Sequence, residues 1–312
     1  MTTVEIDIET ARREFRDQLI EAGLLIPMGI DGLFGRGAVF ENVIDGIDVA
    51  VRRKGQAVHG DSATVLRFPP LFSREAFEGT DYIASFPNLT GSVSTFTGGD
   101  REHRDLLEDR AAGNGWDHHL HPAGTMLVSA ACHPSYSTLD PQLPPDGRLL
   151  DVYGYCFRHE PAIDPARMQA FRMHEYVRVG TPEQAIEHRE KWIGHGLEVL
   201  AALGLDAEPV AANDPFFGRA GRMLAANQHA ENLKTELVIR LYGDLTDGTA
   251  VVSSNCHQDH FGTTFTLRTA DGEVAHSACV GFGMERIALA LFRTHGLDPA
   301  TWPVSVRAAM TA

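Results

Sequence analysis

The stretch VYGYCFRHEPAIDPARMQAFRMHEYVRV, residues 152–179, decides the fold. Aromatic and β-branched residues, which favour β-strands, occupy both of its ends. Pro161, Asp164 and Pro165 interrupt the middle and are typical of a loop. The stretch therefore predicts two strands joined by a polar, proline-containing loop.

Four arginines lie on or beside this strand pair, although the chain as a whole is acidic. They are Arg158, Arg167, Arg172 and Arg178. A planar guanidinium group matches the geometry of a phosphate, and a sheet fixes the direction in which each guanidinium points. The pattern therefore favours a phosphate-bearing ligand. The alternative is a solvated strand face on which arginine pairs with nearby glutamate.

Three short motifs resemble the signature motifs of class II aminoacyl-tRNA synthetases. FRHE at 157–160 and RMQAF at 167–171 resemble the F-R-x-E and R-x-x-x-F parts of motif two, and GFGMER at 281–286 resembles the G-x-G-x-x-R of motif three. The three occur in the same order as in that family. The resemblance implies an α+β fold, with a class II synthetase-like core whose mainly antiparallel β-sheet is flanked by helices and binds a bent ATP.

This resemblance implies a role for each motif residue. Arg158 would contact the α-phosphate of ATP, Glu160 would bind the adenine edge, and Phe171 would stack on the adenine. Arg286 would hold the far side of the nucleotide, and Arg167 belongs to the same ATP-binding set. Fixed arginines suit attack at phosphorus, because the enzyme mainly positions the reactants and offsets developing charge. Arg158 and Arg286 are therefore the predicted catalytic residues.

Length and composition bound what else the chain contains. Its 312 residues, 43% of them hydrophobic, can bury a large core. We expect an N-terminal α/β segment at 1–67, packed on a class II catalytic domain at 68–312, or one continuous domain. Four cysteines without close spacing and an acidic N-terminus without an apolar stretch predict a cytoplasmic protein with reduced thiols. No apolar run approaches the roughly 20 residues that cross a bilayer.

The charge balance restricts the partners. A formal net charge of −15 argues against broad, sequence-independent binding of nucleic acid, which depends on clustered lysine and arginine side chains facing phosphates. A local basic patch on an acidic protein can still bind an RNA or an acidic protein.

Patterns in the first part of the chain predict further elements. Apolar residues at helical spacing predict a helix at 10–22 that Gly23 closes. Residues 29–53 predict a glycine-rich turn followed by alternating strands, with a hairpin at Asp45-Gly46.

Two signals mark helix starts in the second part of the chain. Thr181 and Gln184 form a capping-box pattern that begins a helix. Gly281 and Gly283 predict a tight turn directly before a helix whose first turn carries Arg286.

A helix pattern at 100–113 leads into a strand that we expect to end at Pro122. Helix, strand and proline resemble motif one of class II enzymes, an element that builds their dimer interface, so the resemblance implies a homodimer. His118, His119 and His121 fall in this strand, where the second and third would share one face. Without a third ligand nearby, a solvated or core role is favoured over a metal site.

A cysteine, a glutamate and a second cysteine stand at places that match the zinc ligands of methanogen-type seryl-tRNA synthetases. They are Cys132, Glu175 and Cys279, and the resemblance implies that they hold one zinc ion. Three protein ligands leave a fourth position open, which suits the amino group of a substrate. Without the resemblance, isolated cysteines are more often small buried residues. That is the role expected for Cys156 and Cys256.

Residues 249–268 predict a core strand followed by a polar catalytic stretch. Ser253, Ser254, Asn255 and Cys256 resemble a segment of seryl-tRNA synthetases. That family carries a magnesium-binding glutamate six residues before the asparagine, where this chain has Thr249. ATP is expected to bind with Mg²⁺, but the magnesium ligand stays unassigned.

Synthetases of this kind bind tRNA through extra structure, commonly an N-terminal helical arm. The residues before the motif-one helix show no long heptad pattern and no basic surface. An activating core without an evident arm resembles the amino acid:carrier protein ligases, and the resemblance covers about residues 68–295. It implies ATP-dependent activation of a small amino acid, glycine or alanine, as an aminoacyl-adenylate. The acceptor would be the phosphopantetheine thiol of a carrier protein, and tRNA is not expected as a partner.

Carrier proteins are usually acidic, so a basic helix is the expected docking surface, with Arg219 and Arg222 as its residues. Two alternatives remain: a minimal seryl-tRNA synthetase that charges tRNA, and a catalytically silent, synthetase-like binding module. The sequence does not choose the amino acid, because one methylene in an apolar pocket changes discrimination by only about 1–3 kcal/mol.

Overall fold

The computed structural model describes residues 7–213 and 233–311. The strands are β1 (Leu25–Pro27), β2 (Phe34–Arg36), β3 (Thr64–Leu66), β4 (Leu71–Ser73), β5 (Ser92–Phe96), β6 (Leu120–Leu127), β7 (Arg148–Phe157), β8 (Ala170–Gly180), β9 (Glu208–Ala211), β10 (Lys234–Ile239), β11 (Thr249–Gln258) and β12 (His276–Gly283). The α-helices are α1 (Ile8–Glu21), α2 (Ala38–His59), α3 (Arg74–Glu78), α4 (Tyr82–Ser85), α5 (Asp100–Ala111), α6 (His133–Tyr136), α7 (Pro182–Ala202), α8 (His260–Thr264), α9 (Met284–His295) and α10 (Val304–Ala309).

The strand pair predicted at 152–179 lies within a seven-stranded sheet. β7 and β8 run antiparallel, with Val152 opposite Glu175. The order across the sheet is β3-β7-β8-β12-β11-β10-β9, and the neighbouring strands are antiparallel except for β3 and β7. The predicted α+β class with a mainly antiparallel sheet is therefore confirmed.

The two faces of this sheet differ because side chains alternate along each strand. On one face, Tyr176, Val280 and Phe282 share a hydrophobic core with the helices α1, α2, α7 and α9. On the other face, Val177 and Cys279 belong to a second, smaller core, and the same face bounds a cavity. The N-terminal helices thus pack on the helix-covered side and leave the side with the cavity open.

The prediction of alternating strands with a hairpin at Asp45-Gly46 is wrong, because these residues lie inside the 22-residue helix α2. Apolar residues recur at helical spacing and are buried against α9 and the sheet, which outweighs the local turn signal. Those buried side chains are Phe40, Val43, Ile44, Ile47, Ala50 and Val51. Gly46 marks close packing instead of a turn, since a Cβ there would lie 2.6 Å from Met310 Cε.

The other predicted helices that fall within the described residues are present, and the basic helix predicted around Arg219 and Arg222 lies outside them. α1 ends at Glu21, and Gly23 follows with φ +68°, a left-handed conformation that glycine adopts without strain. At the start of α7, Thr181 Oγ1 accepts from the Gln184 backbone N–H and Gln184 Oε1 accepts from the Thr181 N–H, so the capping box is confirmed. No helix in the two described ranges is long and apolar enough to cross a membrane.

The strand expected to end at Pro122 is longer than predicted. β6 continues through this residue to Leu127, as the middle strand of a three-stranded sheet with the order β4-β6-β5. Proline offers no N–H to the ladder, and the pairing with β5 shifts register between Val93 and Ser94, beside the proline. Residues 117–119, expected in the strand, form a short 3-10 helix.

Candidate active site and metal centre

A cavity of about 610 Å³ lies on the face of the sheet that the large helices leave uncovered. Alternate positions of four adjacent strands contribute side chains to it, as the pleat of a sheet requires. Among the lining residues of β8, β10, β11 and β12 are Phe171, Met173, Glu175, Lys234, Glu236, Ser253, Asn255, Cys279 and Gly281. Cys132, Arg158, Glu160 and Arg286 complete the set of predicted residues that line it. Residues from five separate stretches of sequence therefore meet in one place.

Arg158 and Phe171 lie side by side at one end of the cavity. The guanidinium carbon of Arg158 is 5.5 Å from the ring centroid of Phe171, and its Nε donates to the Ser129 carbonyl oxygen at 3.1 Å. A phosphate held by this arginine would thus lie next to a ring stacked on Phe171, as a bent nucleotide requires. Glu160 also lines the cavity, and Arg167 lies beside it, with Nη1 3.6 Å from Glu160 Oε1.

Arg286 is fixed at the floor of the cavity. Its Nε donates to the Ala166 carbonyl oxygen at 2.8 Å, and its Nη1 donates to the Ala250 carbonyl oxygen at 3.0 Å. Burial, together with the positive charges of Arg158 and Arg167, lowers the pKa of Arg286. Three guanidinium groups therefore converge where an anionic ligand would relieve their mutual repulsion.

Arg172 has a different role from the one that the arginine-rich stretch suggested. It occupies the other face of β8, where its Nε donates to Glu285 Oε1 at 2.8 Å and its Nη1 donates to Glu41 Oε2 at 2.6 Å. Arg36 contributes a second cation, with Nη2 3.2 Å from Glu285 Oε1. The anions that Arg172 binds are thus protein carboxylates that tie α2 and α9 to the sheet, and the interpretation of this arginine as a phosphate ligand is not supported.

Cys132, Glu175 and Cys279 come together as a buried trio. Their ligand atoms all lie within 4.8 Å of one another. Cys132 directly precedes α6, Glu175 is in the middle of β8, and Cys279 lies on the neighbouring strand β12. The backbone N–H of Cys132 donates to Glu175 Oε1 at 3.3 Å, which fixes the carboxylate. Two sulfurs and one carboxylate form a donor set that zinc prefers.

The trio is acidic and has little access to water. Burial and the nearby Cys279 raise the pKa of Glu175 to about 7. The hydrogen bond to Cys279, together with burial, raises the pKa of the Cys132 thiol, and accepting that hydrogen bond lowers the pKa of Cys279. In a buried site, the negative charges of these three groups would repel one another. A divalent cation would neutralise them together, so the trio fits such an ion.

Two further side chains approach the Cys279 sulfur. Asn255 belongs to the stretch that resembles seryl-tRNA synthetases but had no predicted role, and His257 was not identified from the sequence. Asn255 Nδ2 donates to Cys279 Sγ at 3.6 Å, and His257 Nε2 lies 3.6 Å from the same sulfur. His257 Nδ1 is 3.1 Å from Ser277 Oγ, which orients the ring. Alternation along β11 was the available signal, because Ser253, Asn255 and His257 are each two residues apart.

Lys234 and Glu236 on β10 were also missed. Lys234 Nζ lies 3.0 Å from Glu236 Oε1, and the two residues face Asn255 and Ser253 across the ladder between β10 and β11. Both line the cavity, whereas Thr249, at the far end of β11, is not among the described lining residues. Glu236 therefore supplies a carboxylate to the cavity, close enough to Arg286 to influence its pKa.

The predicted glycine turn before α9 is wrong. Gly281 and Gly283 lie within β12, and Gly283 has φ −81°, which any residue adopts. Gly281 is needed for space, because a Cβ there would lie 2.7 Å from Met173 Cε. The predicted docking residues Arg219 and Arg222 lie outside the described residues.

The chain is similar to two curated proteins of Bradyrhizobium diazoefficiens, amino acid–acyl-carrier-protein ligases 1 and 2. It is 41% identical to each, over 90% and 93% of this chain and over 85% and 86% of the relatives. No family model matches the chain.

Among solved structures, the fold is similar to that of M. kandleri seryl-tRNA synthetase, crystallised in complex with A. aeolicus tRNASec. The TM-score is 0.78 at 19% identity, and the match covers 99% of this chain and 62% of the synthetase chain. This likeness confirms the predicted class II synthetase-like fold.

Proposed function

Because the chain belongs to the family of amino acid–acyl-carrier-protein ligases, we propose that it activates glycine or alanine with ATP and transfers it to a carrier protein. In the first step, the amino acid carboxylate attacks the α-phosphorus of ATP, so that an aminoacyl-adenylate forms and pyrophosphate leaves. In the second step, the phosphopantetheine thiol of an acidic carrier protein attacks the acyl carbon, a thioester forms, and AMP leaves.

The arrangement of β8 is the observation that carries this proposal. Phe171, Met173 and Glu175 are successive residues on one face of the strand, and all three line the cavity. Four residues of strand span about 13 Å, which accommodates the ribose, the α-phosphate and a small aminoacyl group. Adenine on Phe171 and an amino group near Glu175 would place the reacting carboxylate between them.

The arginines fit the chemistry of the first step. Attack at phosphorus builds negative charge on the α-phosphate, and preorganised cations offset that charge without reorganising at the moment of reaction. Arg158 is anchored by Ser129 and Arg286 by Ala166 and Ala250, so both guanidinium groups are held in place. Glu160, the partner of Arg167, would bind the adenine edge.

The buried trio would hold one zinc ion. The convergence of two sulfurs and a carboxylate within 4.8 Å, and the mutual repulsion of these groups, both fit such an ion. When bound, a zinc ion with three protein ligands offers an open position for a substrate amino group. Met173 and Gly281 lie beside the trio, and the Met173 side chain fills the space above the glycine. A small amino acid side chain fits best there.

Magnesium bound to ATP requires a carboxylate from the protein, and Glu236 is our candidate. The other carboxylates that line the cavity have partners of their own: Glu175 in the trio, Glu285 with Arg172, Glu160 with Arg167 and Asp81 with the Ser85 hydroxyl. Glu236 lies near Arg286, and its partner Lys234 could bind a phosphate oxygen while the carboxylate binds Mg²⁺.

We also propose that Arg219 and Arg222 dock the acidic carrier protein, and that the enzyme is a cytoplasmic homodimer. Apolar side chains that are exposed on the β1–β2 hairpin support an interface on the chain, because single chains seldom expose neighbouring apolar groups of this size. They are Ile26, Met28 and Ile30.

The acceptor distinguishes this function from its alternatives. The purified chain would be incubated with ATP, Mg²⁺ and labelled glycine or alanine, and offered a carrier protein with phosphopantetheine, the same carrier without it, or bulk tRNA. The proposal predicts hydroxylamine-sensitive label on the first carrier alone. Label on tRNA would instead identify a minimal seryl-tRNA synthetase, and no label on any acceptor would favour a binding module.

A further inference from the structure

A second group of metal-ligand side chains lies away from the cavity, at the C-terminal end of α5. Asp109 belongs to the last turn of this helix, and His118 and His119 belong to the 3-10 helix that precedes β6. His118 Nε2 and His119 Nε2 both approach Asp109 Oδ2, at 3.3 and 2.9 Å. None of the three residues lines the cavity described above.

From this convergence we propose that Asp109, His118 and His119 bind one divalent transition-metal ion, in a site separate from the buried trio. Their ligand atoms lie within 4.8 Å of one another. Bonds of about 2.0–2.1 Å to nitrogen and oxygen place the corners of a tetrahedral site about 3.3 Å apart, so small side-chain movements would complete the coordination. Imidazole and carboxylate suit Zn²⁺, Ni²⁺, Co²⁺ or Cu²⁺ better than Mg²⁺ or Ca²⁺.

The ligands are held in place by contacts that do not need the ion. Asn114 Nδ2 donates to Asp109 Oδ1 at 3.1 Å, which leaves Oδ2 for the histidines. The chain turns back at Gly113, whose φ is +76°, and the backbone N–H of Asn114 donates to the Asp109 carbonyl oxygen at 2.9 Å. The two imidazole rings lie beside each other with centroids 4.1 Å apart. A carboxylate with a fixed outer partner is typical of a metal ligand.

Access from solvent is open on one side. The His119 side chain is 14% exposed and that of Asp109 is 30% exposed, whereas His118 is 63% exposed. An ion could therefore enter past His118 and keep one or more water molecules as additional ligands. Of His119 and His121, which were expected to share a strand face, only His119 belongs to the cluster. The further ligand that was not recognised from the sequence is Asp109, at the end of α5.

The position of the cluster indicates what the ion would do. None of the twelve residues of α5 is buried, so this helix has little apolar contact with the rest of the chain. An ion held by Asp109 on the helix and by the two histidines before β6 would connect these segments. Since a ligand that binds only the folded state stabilises it by mass action, the ion should stabilise this connection.

The test is metal binding by the full-length chain after chelator treatment, titrated with Zn²⁺ and Co²⁺ alone. His118→Ala is the main variant, because its exposed side chain can be removed without disturbing packing, and the exposed His121→Ala is the matched control. Loss of one ligand should weaken binding at this site at least about tenfold, since even outer-shell losses cost 10–100-fold. The control should keep the affinity of the parent chain.

The two metal sites are separated by their spectra. A cobalt ion bound by cysteine shows thiolate-to-metal charge transfer, and one bound by two histidines and an aspartate does not. In Cys132→Ser/Cys279→Ser, the chain should still bind one cobalt ion without charge transfer, whatever the function of the trio. If that variant binds no cobalt, or if His118→Ala leaves every binding constant unchanged, the proposed site is wrong.

Discussion

Glu175 and Gly281 lie directly opposite each other on β8 and β12. A Cβ on Gly281 would lie 3.5 Å from Glu175 Cγ and 2.7 Å from Met173 Cε, so the missing side chain leaves room for both neighbours. The register of this strand pair therefore sets both the position of the buried carboxylate and the space next to it.

Gly281→Ala should reduce the room for the amino acid substrate. The new methyl group would displace the flexible end of Met173 into the cavity, and one methylene in a pocket typically changes binding by about 1–3 kcal/mol. We expect the KM for glycine or alanine to rise by about tenfold, with the fold retained. Gly194→Ala, where the added Cβ meets nothing within 4 Å, is the control. An unchanged KM would show that the substrate lies elsewhere.

Cys279→Ser should remove the metal from the trio. Thiolate sulfur is a stronger zinc ligand than a hydroxyl, so the cobalt-loaded variant, in which Cys132 is the remaining thiolate of the trio, should show weaker thiolate-to-metal charge transfer than the parent chain. A chelator should lower the Tm of the parent chain more than that of the variant, because the parent has a bound ion to lose. Cys256→Ser, which lines the cavity outside the trio, should keep the spectrum. Charge transfer of full intensity in Cys279→Ser would contradict the assignment.

Glu236→Gln should raise the Mg²⁺ concentration needed for half-maximal amino acid activation. The amide keeps the shape of the side chain but removes the charge that Mg²⁺ requires. We expect an increase of about tenfold, equivalent to about 1.4 kcal/mol, with little change in the KM for the amino acid. Glu208→Gln, on the exposed edge strand β9, serves as control. Equal Mg²⁺ dependence in both variants would assign the magnesium to other residues.

Removing the Arg172 side chain should destabilise the fold. Arg172→Met leaves the buried Glu285 with less positive charge around it, and such single losses cost about 3–5 kcal/mol. Arg172→Met combined with Glu285→Gln should recover part of this loss, because both charges are then gone. The exposed pair of Arg74 and Glu78 offers a comparison, where Arg74→Met should cost under about 1 kcal/mol. Urea unfolding measures the free energy of unfolding of each variant. Similar decreases for Arg172→Met and Arg74→Met would contradict the prediction.

His188 should make the fold sensitive to acid. Burial lowers the pKa of His188 to about 3 from an ordinary 6.5. The contribution of the neutral, buried His188 to the free energy of unfolding is therefore fully present above pH 6.5. As the pH falls below 6.5, the unfolded chain binds a proton that the folded chain does not, and stability drops by about 1.4 kcal/mol per pH unit for this group.

His188→Gln retains an N–H donor for the Tyr176 carbonyl oxygen, which His188 Nε2 contacts at 3.0 Å, because the glutamine amide lies at the distance of Nε2 from the backbone. The variant should show a shallower loss of unfolding free energy between pH 6.5 and pH 4 than the parent chain. The exposed His103→Gln is the control, and equal slopes in all three proteins would show that His188 is not the group responsible.

The sequence predicted the site residues that belong to a local motif. It did not predict those that reach the site only through tertiary contacts. Arg158, Glu160 and Phe171 fall in one short motif at the connection between β7 and β8, so the sequence placed them in one site. The helix α2 was missed because an Asp-Gly pair within it is a strong local turn signal, while the packing of its glycines depends on distant side chains.

Other residues depend on contacts that the sequence does not encode locally. Glu236 reaches the cavity only through the register of β10 with β11, which shifts between Leu237 and Val238. Asp109 meets His118 only because the chain turns back after α5. In both cases the chemistry of the residue was visible, but its neighbours were not.

Amino-acid-dependent exchange between ATP and pyrophosphate tests the central claim most directly, because it reports adenylate formation without any acceptor. The zinc-loaded chain should catalyse exchange with glycine or alanine and not with large amino acids, and Arg158→Ala should lose at least about a hundredfold in rate, as removal of one preorganised charge at the reacting centre does. If no amino acid supports exchange by the zinc-loaded chain, or if Arg158→Ala exchanges as fast as the parent, this cavity does not form an aminoacyl-adenylate.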